Sequence, residues 1–317
     1  MRYLITLTPL EPYLFGGDNT FGKIGDKSEG TYLVNSRAFP QQSAVLGMLR
    51  REMMTQAGFL TRKVRGEWVD RKNANSAKEL VGDEKFDILS DRVQNFGTIN
   101  ELGAIFLLKD KKRYIKKADI DSYLYEDGFL KGFHPKKDIF DNYVEIDSNE
   151  KLTSSDIFTA IEQVGNKKDG EENSLFKRRV YKLKRGFAFG CYLDVDFALE
   201  NAIVSLGADG TKFRMSVQKS DDTLNYQDKN GYLVLLSDAL ITIDTKEQCE
   251  FAITKEISYR NLQSKRHVTR YNQFRKSQKV YLYEKGSLFI NPTEQLIENL
   301  NNKNCQKIGY NRHTGEE

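Results

Sequence analysis

Residues 164–189 read VGNKKDGEENSLFKRRVYKLKRGFAF, which sets Lys177, Arg178, Arg179, Lys182, Lys184 and Arg185 close together with Tyr181, Phe187 and Phe189 interleaved. Closely spaced cations with aromatics between them suit a single-stranded nucleic acid: the cations follow phosphates and the rings stack on bases. The same pattern suits a solvated edge strand made basic to block edge-to-edge pairing. Composition alone leaves the two level. A second stretch, residues 257–283, contains no Asp or Glu. It carries Arg260, Lys265, Arg266, Arg270, Arg275, Lys276 and Lys279, with Tyr259, Tyr271 and Phe274 among them. In a nearly neutral chain, so long a segment without acid favours RNA or an acidic partner subunit over a merely solvated face.

Other residues invite enzyme chemistry and support it weakly. Residues 14–30, LFGGDNTFGKIGDKSEG, are rich in glycine, but Gly22-Lys23 is followed by Ile24, so the loop is not a Walker A phosphate cradle. Gly16-Gly17-Asp18 resembles the metal-binding hairpin of nucleotide cyclases, yet the next residue is Asn19 rather than a second carboxylate. A Gly-rich turn whose backbone amides approach phosphates fits better, and a plain flexible loop fits as well. His134, His267 and His313 are scattered, with no Ser or Cys placed to form a recognisable triad. Cys191, Cys249 and Cys305 lie far apart and have no metal-ligand spacing. They read as small buried hydrophobes in a reducing cytoplasm. In residues 205–215, Lys212 and Arg214 alternate with Phe213 and Met215, so the two cations share one face of a strand.

The elements that must carry these residues follow from patterning. The 317 residues suffice for two ordinary domains, and 39% hydrophobic with 30% charged residues marks a folded, soluble composition. The 49 Lys and Arg nearly balance 45 Asp and Glu, so clustering rather than net charge must carry any argument for an anionic partner. Residues 3–7 read as a first strand rather than a signal peptide, and no apolar run reaches membrane-spanning length. Pro40 and Ser43 suit a helix start, and Val45, Leu46, Leu49 and Met53 form a core-facing helical stripe. Residues 61–101 are weakly patterned. Residues 104–108 and 113–115 form a hairpin across the KDKK turn. Ser154 and Ser155 cap a short helix in SSDIFTAIEQV. From residue 187 onward the character is β, with strands at 187–195, 202–206, 232–236, 251–254, 280–283 and 288–290 and a short helix in TEQLIENL near the end.

Four segments in order resemble the RAMP superfamily of CRISPR effector subunits, and most of all the third subunit of the type III-B (Cmr) complex. PQQSAVLGMLR, with Pro40, Ser43, Gly47, Leu49 and Arg50, is similar to that family's first helix. VGN through FKRRVYKLKRGFAF resembles its hairpin segment, SLGADGTKF its Leu-Gly-Gly turn, and VYLYEKGSLFI its late Gly-Ser strand pair at Gly286 and Ser287. The chain departs from the pattern in three places. Phe15-Gly16-Gly17-Asp18 stands where the family often has Phe-Arg-Asp-Gly, the turn is Leu-Gly-Ala, and the end has only Gly309 and Gly315. These leave a type III-A or III-D subunit open.

The resemblance implies an α+β chain with two ferredoxin-like (RRM-like) domains, insertions and a basic β-hairpin. The change toward β character after Gly186 sets the division at 1–180 and 181–317. It implies a cytoplasmic, non-catalytic subunit with no cofactor or metal. Such a subunit holds the 5′ tag of the CRISPR RNA and contacts the large Cas polymerase-like subunit and a backbone RAMP subunit. On this basis Gln42 and Ser43, at a helix N-terminus, are expected to meet phosphate. Arg50 reaches the same strand or covers a helix flank. Lys177, Arg178, Arg179, Lys182, Lys184 and Arg185 line the guide groove. Arg266, Arg270 and Arg275 contact RNA or the large subunit. The rival within the family is a metal-independent endoribonuclease that processes precursor RNA. It usually needs a His near the first helix, whereas the first His here is His134.

Overall fold

The computed structural model describes residues 1–20, 32–60, 73–126, 128–134, 138–166, 175–265 and 273–315. The chain opens with β1 (Arg2–Pro9), β2 (Phe15–Thr20) and β3 (Tyr32–Arg37). Next come α1 (Gln42–Gln56) and α2 (Ala74–Val81). The apolar stripe of α1 turns inward as its spacing predicts, burying Val45, Leu46, Leu49 and Met53. The second helix was not legible, because its eight residues bury little beyond Ala77 and Val81. Then follow β4 (Ile99–Leu102), β5 (Phe106–Lys109), β6 (Lys112–Lys116), β7 (Leu124–Glu126), β8 (Phe129–Lys131), β9 (Tyr143–Glu145) and β10 (Lys151–Leu152).

The segment expected as one helix from Ser154 gives only a turn, α3 (Ser154–Ile157), closed by a capping box between Thr153 and Asp156. Its remainder is β11 (Phe158–Asn166). Thr159, Ile161 and Val164 are β-branched, and pairing along β12 (Leu175–Leu183) outweighs the weak helical periodicity. The chain continues through β13 (Phe187–Val195), β14 (Ala202–Ser205), β15 (Lys212–Lys219), β16 (Leu233–Val234), β17 (Phe251–Ile253), β18 (Glu256–Tyr259), β19 (Leu262–Lys265), β20 (Gln273–Lys276), β21 (Val280–Tyr283) and β22 (Leu288–Ile290). Short helices α4 (Glu294–Leu300) and α5 (Lys303–Gln306) follow.

A large sheet runs in the order β10–β9–β6–β5–β13–β1–β15–β14, with β4 on the far end of β13. Within it β15, β1, β13 and β5 are antiparallel neighbours, and α1 lies between β1 and β5 in sequence. The boundary expected at 180/181 falls inside β12, and residues from both sides of it share this sheet: β1 lies between β13 and β15. Among the described residues, β14 and a single 3-10 turn (Ala208–Gly210), rather than an α-helix, separate β13 from β15 in sequence.

Strand alternation organises the layers. Ile5, Leu7, Phe189, Cys191, Leu193, Phe213 and Met215 face α1 and α2 in the main core. Leu4, Phe106, Ile115 and Tyr192 face the other way, onto Leu236 and onto Val234, Leu288 and Ile290 of the small sheet β16–β22–β17. Phe289, one residue out of phase on β22, joins Leu233 and Leu235 against Leu296 and Leu300 of α4. Gly190 permits the close contact on the second face, since a Cβ there would stand 2.7 Å from both Phe106 and Leu108 side-chain atoms. Among the described residues no helix is long and apolar enough to cross a membrane.

Candidate nucleic-acid interface

The basic strand is not an edge. β12 lies inside a four-stranded sheet, β11–β12–β3–β2, antiparallel to β11 and parallel to β3. Its register sets Arg179 opposite Glu162 and Arg178 opposite Gln163. The Arg178 Nε donates to Gln163 Oε1 at 2.8 Å, and Arg179 reaches Glu162 at 3.3 Å. These two arginines are therefore engaged across the hairpin. Lys182, Lys184 and Arg185 are exposed and form no ion pair among the described residues. The side chain of Lys177 lies outside the described set.

The interleaved rings do not face solvent. Phe187 and Phe189 are in the core, and half-buried Tyr181 packs edge-on against Phe158, ring centroids 6.0 Å apart. This corrects the expectation that Phe187 and Phe189 stack on bases: the strand's inward phase belongs to the sheet's own core. Past the strand end Gly186, at φ 89°, turns the chain sharply into β13, and Lys184 and Arg185 stand exposed beside that turn.

One group of neighbouring cations was missed in the sequence. Lys109 on β5 pairs in register with Phe187, its stem 3.7 Å from where a Gly186 Cβ would stand and its ammonium 4.9 Å from the Phe187 ring. The β5–β6 turn thus sits beside Lys184 and Arg185. Asp156 lies in the field of both Lys184 and Lys109. Hydrogen bonds from Thr153 chiefly hold its carboxyl below the usual range, and the two lysines add to this. Nothing in the sequence joins KDKK to KLKRG; only strand pairing does.

The first turn of α1 is committed to structure. Gln42 is 3% exposed, and its Nε2 donates to the carbonyls of Gly103 at 2.9 Å and Gly309 at 2.7 Å. The expectation that this side chain meets phosphate is corrected, because both amide protons hold the C-terminal segment against the sheet. Ser43 Oγ contacts Asn261 Oδ1 at 3.0 Å and lies 3.4 Å from the Tyr310 hydroxyl. Arg50 donates to the carbonyls of Glu84 at 2.9 Å and Gly82 at 2.6 Å and lies over Phe96. Of its two expected roles, the structure shows the flank: it pins the turn after α2.

Arg266 and Arg270 lie outside the described residues, and of Arg275 only the backbone position, on β20 opposite Gln263, is described. The chain leading into that hairpin is tied to the end of β3 and to the segment after α2. Arg37, at the end of β3, donates to the Ser258 carbonyl, and Asn261 Nδ2 donates to the Phe86 carbonyl at 3.1 Å. The Gly16-Gly17-Asp18 tripeptide belongs to β2, where the pairing register with β3 shifts between Gly16 and Asn19.

Two cysteines and one histidine are buried, whereas His134 is exposed and Cys249 half-buried. Burial pushes the Cys191 and Cys305 thiols up to about 12. His313 is buried, with Nδ1 2.8 Å from the Thr314 carbonyl and Nε2 3.2 Å from Asn301 Oδ1. Among the described residues no three His, Cys, Asp or Glu side chains gather as a metal site.

No protein-family model matches this chain, and no curated protein does. Solved structures do. A chain in the cryo-EM structure of the Type III-B Cmr-beta bound to cognate target RNA aligns with a TM-score of 0.54 at 14% identity, over 99% of this chain and 96% of that one. The fold is similar to that of this Cmr-beta chain. A second Cmr-beta structure, bound to cognate target RNA and AMPPnP, aligns with a TM-score of 0.51 at 15% identity over 98% and 95%. The Cmr-like fold agrees with the type III resemblance in the four sequence segments. At this identity the likeness is one of architecture, mixed α and β with mostly antiparallel sheets.

Proposed function

We propose that this chain is a non-catalytic subunit of a type III CRISPR RNA-guided effector. In this role it holds the 5′ tag of the guide and joins the large polymerase-like subunit to the backbone, working in the cytoplasm. The observation that carries the proposal is the set of exposed cations Lys182, Lys184 and Arg185, which form no ion pair among the described residues, set at the end of the basic hairpin in a chain that folds from end to end like a Cmr-beta chain. Such cations bind a polyanion without reading its sequence, as a subunit serving many guides requires. The neighbours β15, β1, β13 and β5 support reading residues 1–219 as a ferredoxin-like unit with one helix replaced by β14. The burial of Cys191, Cys305 and His313 keeps these three groups out of reach of an RNA strand.

The test is binding of a tag-bearing single-stranded RNA in EDTA across a salt series. Wild-type protein binds without cleaving, and Lys182→Ala, Lys184→Ala and Arg185→Ala together flatten the log–log salt slope by about 2, at roughly 0.7 per cation. Site-specific cleavage abolished by one His→Ala change would establish the endoribonuclease instead.

A further inference from the structure

The turn between β5 and β6 carries a feature that hairpin formation does not require. Asp110 and Lys111 are its central residues, at φ 50° and 69°. A two-residue turn with both residues left-handed favours Asn or Asp first and Gly second. Asp110 fits; a lysine at the second position holds a backbone conformation that costs a side-chain-bearing residue and that glycine would relieve. The strained position is the tip of the hairpin, where Lys111 is exposed. Strain kept at an exposed tip points to a use for the side chain.

Its surroundings suggest what the use is. Through the pairing of Lys109 with Phe187, the turn lies beside the segment that carries Lys184 and Arg185. Lys112 is taken by Glu150 at 2.6 Å. Lys109 and Lys111 form no ion pair among the described residues. Among those residues, neither turn contributes an exposed large apolar side chain; these lie elsewhere, at Phe129, Val164 and Ile203 for example. Protein interfaces enrich aromatics and deplete lysine, so a lysine-rich patch without apolar anchors fits a phosphate chain better than an acidic protein.

We infer that the β5–β6 turn is a second phosphate-binding element, whose Lys109 and Lys111 take up the RNA backbone where it leaves the cations of segment 182–185. This rests on the RNA-holding role proposed above. The experiment is a salt titration of a fluorescent single-stranded RNA against the intact chain, with four proteins compared: wild type, Lys111→Asn, Lys109→Gln with Lys111→Asn, and the Lys182/Lys184/Arg185 triple alanine. Asn tolerates the left-handed backbone, so Lys111→Asn removes charge without undoing the turn. Each lysine lost from the turn is expected to shallow the slope by about 0.7, with the melting temperature of Lys111→Asn no lower than that of wild type. An unchanged slope in the double variant, with a shallower slope in the triple alanine, overturns this inference and leaves the RNA-holding role standing. Wild-type protein without salt-dependent RNA binding overturns both. If the double variant keeps the wild-type slope but loses RNase-resistant co-purification with sister subunits, the turn serves an acidic protein and the inference fails.

Discussion

Gln42 shows why residue type alone misassigns a site. A glutamine at a helix start reads as a phosphate donor, yet here it is a buried clamp on two distant carbonyls. Gln42→Leu leaves both carbonyls without that donor and is expected to cost roughly 2–4 kcal/mol by chemical denaturation, while RNA affinity per folded molecule is unchanged. Lys285 is a second residue whose charge has no outward role. It is buried, its ammonium 3.4 Å from the Ile105 carbonyl and 4.2 Å from the Phe39 ring centroid, and desolvation pulls its pKa below the ordinary lysine value. A depressed lysine pKa means the unfolded chain binds the proton more readily, so the folded state gains as pH rises toward about 10.4. Lys285→Met is therefore expected to be more stable than wild type at pH 7, with the gap closing by pH 10 in paired denaturation curves. Neither burial could be read from the sequence, because partners such as Gly309 and Ile105 lie far along the chain.

At the scale of elements, strands with clear alternation were legible and marginal ones were not. The hairpin across residues 106–116, the strand β13 and the stripe on α1 follow from local patterning. The helix expected after Ser154 became β11, since its fate depends on β12, and the second helix escaped notice because so little of it is buried. The basic strand was recognised, but which of its cations are free depends on its partner. β11 supplies Glu162 and Gln163 opposite Arg179 and Arg178. Glu162→Gln is expected to release Arg179, tighten RNA binding at low salt and steepen the salt slope by roughly 0.7. Stability should hold within about 0.5 kcal/mol, since an exposed ion pair contributes little.

At the scale of the molecule, α1 and α2, the large sheet, the small sheet and α4 stack in four layers, and the alternating phases of β1, β13 and β22 hold the stack together. A division into halves at residue 180 was the natural expectation from the change toward β character. Pairing of β1 with β13 and β15 carries the large sheet across that point, a long-range fact that no local window contains. The result is a scaffold that buries Cys191, Cys305 and the rings of Phe187 and Phe189 and leaves a run of lysines and arginine at one end of its sheets. The most direct measurement is peptide-level mapping of UV crosslinks in the effector assembled with its guide RNA. The account predicts crosslinks at the 5′ tag concentrated in residues 182–187 and 109–112, with the guide intact. Crosslinks confined to other surfaces, or a guide cut at a defined position by this subunit alone, would contradict it.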